Sequence, residues 1–151
     1  MRPDWDTYFA QLIDLVKTRS TCLRAHHGAL IVKDNRILAS GYNGAPSLYP
    51  HCLDKKECFR TKNNIPSGEQ YEKCKALHAE QNALLQCAKY GISVIGASIY
   101  ISDVPCEICA KMIANSGIVE VVIIHDSGRY KIDSLYDLVK ACGTVRTLSG
   151  R

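Results

Sequence analysis

The chain has 151 residues, 46% of them hydrophobic and 23% charged, with a formal charge of +4. That length suits one domain, residues 1–151, whose core needs no staples. The weak positive balance, without a run of Lys or Arg, argues against a protein that grips polymeric nucleic acid by its phosphates, and no apolar segment approaches the length of a membrane span.

Residues 1–6 contain no apolar stretch, so no secretory signal is expected and the expected location is cytoplasmic. In a reducing compartment, eight cysteines point to metal ligation or catalysis rather than disulfides. Trp5, Tyr8, Phe9, Leu12, Ile13 and Val16 recur at helical spacing and predict an amphipathic helix ending near Thr18. Segments 29–32 and 37–40 flank Lys33-Asp34-Asn35-Arg36 and read as a hairpin. Residues 41–64 are rich in Gly, Pro, Asn and Cys and show no periodicity; so long a structureless stretch calls for an organiser.

A helix is predicted over 78–90, closed by Gly91 at its C-cap. A strand follows at 98–102. Asp103-Val104-Pro105 opens a second helix, with Pro near its first turn, which runs to Asn115 and stops at Gly117. Then come a buried strand at 119–124, a helix at 134–142 and a last strand at 144–148. The alternation after residue 97 implies right-handed parallel crossovers. The fold class is therefore α/β, with helices on both faces of one central sheet.

Two short motifs carry the chemistry. His78-Ala79-Glu80 and Pro105-Cys106-Glu107-Ile108-Cys109 supply one imidazole and two thiolates. These are three protein ligands for a tetrahedral zinc, with a fourth position left for water. Cys106 and Cys109, three apart on one helical turn, share a face and can grip one metal. Both motifs fall at helix starts, whose partial positive charge favours thiolates. Zinc lowers the pKa of a bound water from about 15.7 to about 7, which at about 1.36 kcal/mol per unit amounts to about 12 kcal/mol toward a nucleophile. Glu80, two residues from His78, is placed to move the protons. The alternative is a closed structural zinc site with a fourth side-chain ligand, in which a carboxylate beside the metal has no use.

The pattern H-x-E followed by P-C-x-x-C is the signature of zinc-dependent nucleobase deaminases. Wider segments narrow the likeness: Arg19-Ser20-Thr21-Cys22-Leu23-Arg24, Gly28-Ala29, Gly41-Tyr42-Asn43-Gly44-Ala45-Pro46, and Leu77 through Ala83. With them, and with the stretch from Pro105 to Met112, the chain resembles the deoxycytidylate (dCMP) deaminase family up to about Tyr130. The resemblance implies a three-layer α/β/α cytidine deaminase-like sandwich around a mixed sheet of about five strands. It implies hydrolysis of dCMP to dUMP, supplying the dTMP precursor. It further implies a homohexamer activated by dCTP and inhibited by dTTP, assisted by Mg2+.

Residue by residue, the resemblance sets Asn43 by the substrate sugar, with Ala79 and Tyr130 also near substrate, and Gly41, Tyr42 and Gly44 near the effector. On the residues alone, Gly41-Tyr42-Asn43-Gly44 equally suits an ordinary turn after a strand. Arg24 is a candidate for the 5′-phosphate, as guanidinium suits that group, or else a solvated surface charge. The resemblance also places a second, structural zinc on Cys22, Cys52, Cys58 and Cys74, with His51 able to replace one of them. Four thiolates around that metal would lower the formal charge by two. Cys87 and Cys142 read as core cysteines. The chain departs from the family at His26-His27, where relatives usually carry an apolar residue, at residues 125–129, and after Tyr130. Rival readings are a deaminase of another cytosine compound or of a tRNA base, and a non-catalytic zinc-binding module on the same fold.

Overall fold

Asp4 starts the first element. Its carboxylate accepts a hydrogen bond from the Thr7 backbone N–H at 2.7 Å, capping helix α1, Trp5–Val16. The helix tightens into a 3-10 turn at Lys17–Arg19, so its α-helical part ends slightly earlier than the spacing predicts. The protein is described by a computed structural model over residues 1–130, 137, 140–141 and 143–148. Strands β1 (Gly28–Lys33) and β2 (Arg36–Tyr42) form the expected hairpin, each longer than the sequence suggests. Asp34 and Asn35 both have positive φ, at 51° and 58°. That is the backbone a two-residue hairpin turn requires, and these residue types tolerate it.

The segment expected to be structureless, 41–64, instead contains two one-turn helices, α2 (Cys52–Lys55) and α3 (Phe59–Lys62). Single turns leave no periodicity to detect. Helix α4 is Ala79–Tyr90, strand β3 Ser98–Ile101, helix α5 Glu107–Ser116, strand β4 Glu120–Ile123 and strand β5 Thr144–Thr147. The helix expected over 134–142, and Cys142 with it, lie outside the described residues.

The strands form one sheet in the order β2-β1-β3-β4-β5. The first two pairings are antiparallel; β3 with β4 and β4 with β5 are parallel, as the alternation after residue 97 implies. Side-chain alternation then sorts the core. Ala29, Ile31, Ile99, Ile101, Val121 and Ile123 face one side and pack with α4 and α5. Leu30, Val32, Tyr100, Val122 and Ile124 face the other and pack with Phe9 and Ile13 of α1. Both faces are covered, which yields the three layers expected. Cys87 is buried in the α4 layer, as a core cysteine should be. At the sheet's other end Arg146 of β5 clasps Asp6 of α1 through two nitrogens, at 2.5 and 2.8 Å, and Glu120 of β4 at 2.8 Å. Among the described residues no helix is long and apolar enough to cross a membrane.

Close approach fixes α4 on the sheet. A Cβ on Gly41 of β2 would lie 2.1 Å from the Ala79 carbonyl oxygen and 2.6 Å from the Ala83 nitrogen. Only hydrogen fits between these two backbones. Gly44 then exchanges backbone hydrogen bonds with Leu77, at 3.1 and 2.9 Å, holding the residue before His78.

Candidate active site and metal centre

His78 is the N-cap of α4, extended at φ −73° and ψ 160°, and its N–H donates to the Gln81 side-chain oxygen at 2.8 Å. Cys106 is the N-cap of α5, and its sulfur accepts from the Cys109 N–H at 3.4 Å. Helix α4 therefore begins one residue later than expected, and α5 begins at Glu107 rather than at Asp103-Val104-Pro105; each donates its capping residue to the site. His78 Nδ1 lies 3.4 Å from Cys106 Sγ and 3.5 Å from Cys109 Sγ. A tetrahedral zinc with bonds of about 2.0 Å to nitrogen and 2.3 Å to sulfur separates such atoms by about 3.5 Å. The trio fits the ion. Its ligand atoms lie within 4.8 Å of one another, and among the described residues no fourth His, Cys, Asp or Glu joins the group. A zinc held by these three would keep a fourth position for water, unlike a structural site closed by four side chains.

The electrostatics suit a cation. Cys106 is held down to about 4, first by the hydrogen bond from the Cys109 thiol and then, against its burial, by His78. Cys109 is pushed up, because it is the partner that keeps the proton. Burial acts to lower the His78 ring, but the Cys106 sulfur and the Glu80 charge outweigh it and raise the ring overall. Tyr71 packs edge-on against that ring at 4.7 Å. Glu80, only 8% exposed, has its carboxyl raised, chiefly by burial. Among the described residues it forms no ion pair. A buried, unpaired carboxyl beside a metal trio can take up and release a proton.

These groups open into a cleft of about 270 Å³, near the lower end of the roughly 300–1,000 Å³ usual for small-molecule sites. Arg24, Asn43, Ala79 and Tyr130 all border it; Gly41, Tyr42 and Gly44 do not. Asn43 is buried and spends its amide on the wall. Its Oδ1 accepts from the His27 N–H and its Nδ2 donates to the Ala25 carbonyl, both at 2.8 Å. Arg24 is exposed and donates to the Ile65 carbonyl at 2.9 Å. The Tyr130 hydroxyl is hydrogen-bonded to that of Tyr71. Tyr42 offers its carbonyl to the Asn82 side chain at 2.8 Å, joining β2 to α4.

The cleft also gathers residues the sequence did not single out: Arg60, Tyr71, Arg129 and Ser102. His27, noted only as a departure from the family, joins them, with Nδ1 3.3 Å from Ser102 Oγ and Nε2 3.3 Å from Arg129 Nη1. No motif marks these positions, since the wall is assembled from distant segments. Of the four remaining thiols, Cys22 and Cys74 border the cleft and Cys52 and Cys58 do not. Burial raises the Cys52 thiol, and charge on Cys58, Cys22 and Cys74 raises it further; among the described residues, however, these sulfurs are not drawn together as closely as the His78 trio.

The family model for the cytidine and deoxycytidylate deaminase zinc-binding region matches residues 3–125. The chain is 40% identical over 130 residues to the deoxycytidylate deaminase of Mycobacterium phage D29, covering 83% of this chain and 98% of that one. It is 36% identical over 151 residues to the deoxycytidylate deaminase of Saccharomyces cerevisiae, covering 99% of this chain but only 46% of the yeast protein. Among solved structures it resembles the dCMP deaminase of the cyanophage S-TIM5, in complex with dCMP and dUMP. The TM-score is 0.74 at 29% identity, covering 98% of this chain and 99% of the other. On the open metal trio, the buried carboxyl beside it and these likenesses together, the chain belongs to the cytidine and deoxycytidylate deaminase family.

Proposed function

We propose that this chain catalyses the hydrolytic deamination of dCMP, in which water adds, ammonia leaves and dUMP forms. One observation carries the reading: an open His78–Cys106–Cys109 trio of zinc-fitting size with the buried Glu80 beside it. The phage and yeast relatives bear the name of this activity, and the S-TIM5 protein was crystallised with its substrate and product.

His78, Cys106 and Cys109 would hold the zinc, which when bound supplies a water acidic enough to act as nucleophile at neutral pH. The N-termini of α4 and α5 meet at these ligands, and their dipoles favour the thiolate forms. Glu80 accepts the proton of the water that adds to C4 of the cytosine and delivers it to the ring nitrogen N3. It then takes the second proton, from the hydroxyl now on C4, and passes it to the exocyclic amine, so that the C4–N bond breaks, ammonia departs and the C4 carbonyl forms. Burial suits Glu80 to this work, because a raised carboxyl holds a proton that an exposed one would lose. Asn43, Ala79, Tyr130 and Arg24 all border the cleft, Asn43 being assigned to the sugar and Arg24 to the phosphate.

The proposal extends to supply of the dTMP precursor in the cytoplasm, by a homohexamer that dCTP with Mg2+ activates and dTTP inhibits. Gly41, Tyr42 and Gly44 lie beside the cleft wall, and an effector meeting them would act on His78 through the Gly44–Leu77 bonds. It extends also to a second zinc on Cys22, Cys52, Cys58 and Cys74, supported by the charge of the other three being felt at Cys52. The test is ammonia release from dCMP, deoxycytidine, cytosine and a tRNA anticodon stem-loop, with and without a chelator. Chelator-sensitive turnover of dCMP above the others is expected. Preference for the RNA, or no turnover of any of the four, overturns the reading.

A further inference from the structure

His27 is a half-buried ring on the cleft wall with no part in the proton transfers described above. Three of its groups engage three separate segments. Its backbone N–H donates to Asn43 Oδ1 at 2.8 Å, Nδ1 lies 3.3 Å from Ser102 Oγ, and Nε2 lies 3.3 Å from Arg129 Nη1. A guanidinium has N–H donors and no acceptor. The contact with Arg129 is therefore a hydrogen bond only if Nε2 is bare, which leaves the ring proton on Nδ1. From there it donates to Ser102 Oγ, a buried hydroxyl oxygen that also accepts from the Gly28 N–H at 3.2 Å. One obligate donor thus settles the tautomer of the whole ring.

Arg129 depends on this arrangement. Its backbone is pinned, because its N–H meets Ser127 Oγ at 3.4 Å and that hydroxyl donates to Asp103 at 2.6 Å. Its side chain borders the cleft, and among the described residues the guanidinium has His27 as its one hydrogen-bond partner and no carboxylate paired with it. An apolar side chain at position 27 would leave that guanidinium unheld. So would a protonated ring, since Nε2–H would turn a second donor and a second positive charge toward Arg129. The surroundings favour the neutral ring. Burial lowers it first and Arg129 next, with His78 and Lys17 adding to them; the Asp103 carboxylate opposes these and is outweighed. The acceptor is in place at neutral pH and is lost as pH falls through a value below the usual histidine range.

We propose that His27 is a positioning residue: as the Nδ1–H tautomer it holds the Arg129 guanidinium against the cleft, and substrate affinity, not the chemical step, depends on that hold. This rests on the dCMP reading in one respect, that the substrate is an anion on which a fixed cation acts, whichever of its atoms Arg129 meets.

The test compares zinc-loaded wild type, His27→Gln and His27→Val on dCMP from about pH 8 to about pH 5. Gln offers a carbonyl oxygen near the place of Nε2 that accepts and never ionises; Val offers no acceptor. At the alkaline end Val should raise KM about 10-fold, the scale of one hydrogen bond to a charged group, with kcat little changed. Gln should recover most of that loss. On acidification the KM of wild type should rise relative to that of His27→Gln, a ratio from which zinc loss and titration of the substrate cancel. A constant ratio, a loss carried by kcat, or no recovery with Gln would overturn the proposal. Nitrogen NMR of the histidine rings reads the hold without turnover. His27 should carry its proton on Nδ1, and Arg129→Ala should raise its titration midpoint. An Nε2–H ring, or a midpoint that Arg129→Ala leaves in place, would overturn the proposal even in a chain without activity. A wild type inert on dCMP whose His27 behaves as expected would defeat the deamination reading and leave the hold on Arg129 standing.

Discussion

Gly41→Ala tests whether the spacing between β2 and α4 sets the metal site. The added methyl would meet backbone on both sides, at 2.1 Å from the Ala79 oxygen and 2.6 Å from the Ala83 nitrogen. Neither atom can rotate away, so strand and helix must part by about 1 Å to restore ordinary contact. Overpacking of this kind costs about 1–3 kcal/mol, and a contact between backbones belongs at the upper end. At about 2–4 °C per kcal/mol for a chain of this size, the melting temperature should fall by roughly 6–12 °C. Ala79 lies between His78 and Glu80, so the same displacement moves a metal ligand and the proton carrier together. A misplacement of about 1 Å costs on the order of 100-fold in rate. Gly91→Ala is the control at the other end of α4. Gly91 has φ +66° with open space around its Cβ position, so strain of about 1 kcal/mol is expected there without a change in kcat. The assays are thermal melting, zinc content and kcat on dCMP. If the two variants melt alike and both keep wild-type kcat, close packing at Gly41 does not position the site and the reasoning fails.

Glu80→Gln should retain zinc and lose at least about 100- to 10,000-fold in kcat, the scale of general acid–base catalysis; a tenth of wild-type turnover remaining would remove Glu80 from the proton-transfer role. Tyr100 carries a pH prediction. Burial, with its hydrogen bond to Asp6, pushes its hydroxyl up to about 12. Below the unfolded value of about 10 both states hold the proton and its contribution is whole. Above that, the unfolded chain ionises first and stability falls by up to about 2.5 kcal/mol as pH approaches 12. Tyr100→Phe should flatten this limb, read from denaturant midpoints at pH 9 and 11.5. Metal analysis of the purified chain should find two zinc ions, and Cys52→Ser one; a single zinc in wild type would eliminate the second site.

The catalytic centre was readable because each half of it is local. His78 and Glu80 are two residues apart, Cys106 and Cys109 three, and the caps that orient them are closed by Gln81 and by the Cys109 N–H within the same helical turn. The sheet was readable for a similar reason. Val121, Val122, Ile123 and Ile124 are apolar without alternation because helices cover both faces, and strands buried on both sides must look like that. What escaped was built from distance. Gly41 looks like a residue for a turn, yet its absent side chain is demanded by a helix some forty positions later. Segment 41–64 hid two single-turn helices, and Arg60 in α3 finds its partners, the Pro66 carbonyl and the Tyr71 ring, beyond that segment. This division follows the chemistry. Bond-making requires a few groups at fixed short range, which a helix terminus supplies within one turn. Discrimination among substrates requires a wall, and this wall draws on the β1 approach, the loop after β2, α3 and the segment after β4. No single stretch of chain contains it. Substitutions that alter which nucleotide is accepted should therefore fall in the irregular region 41–76 and around Arg129, while those that abolish turnover should fall within a turn of His78 or Cys106.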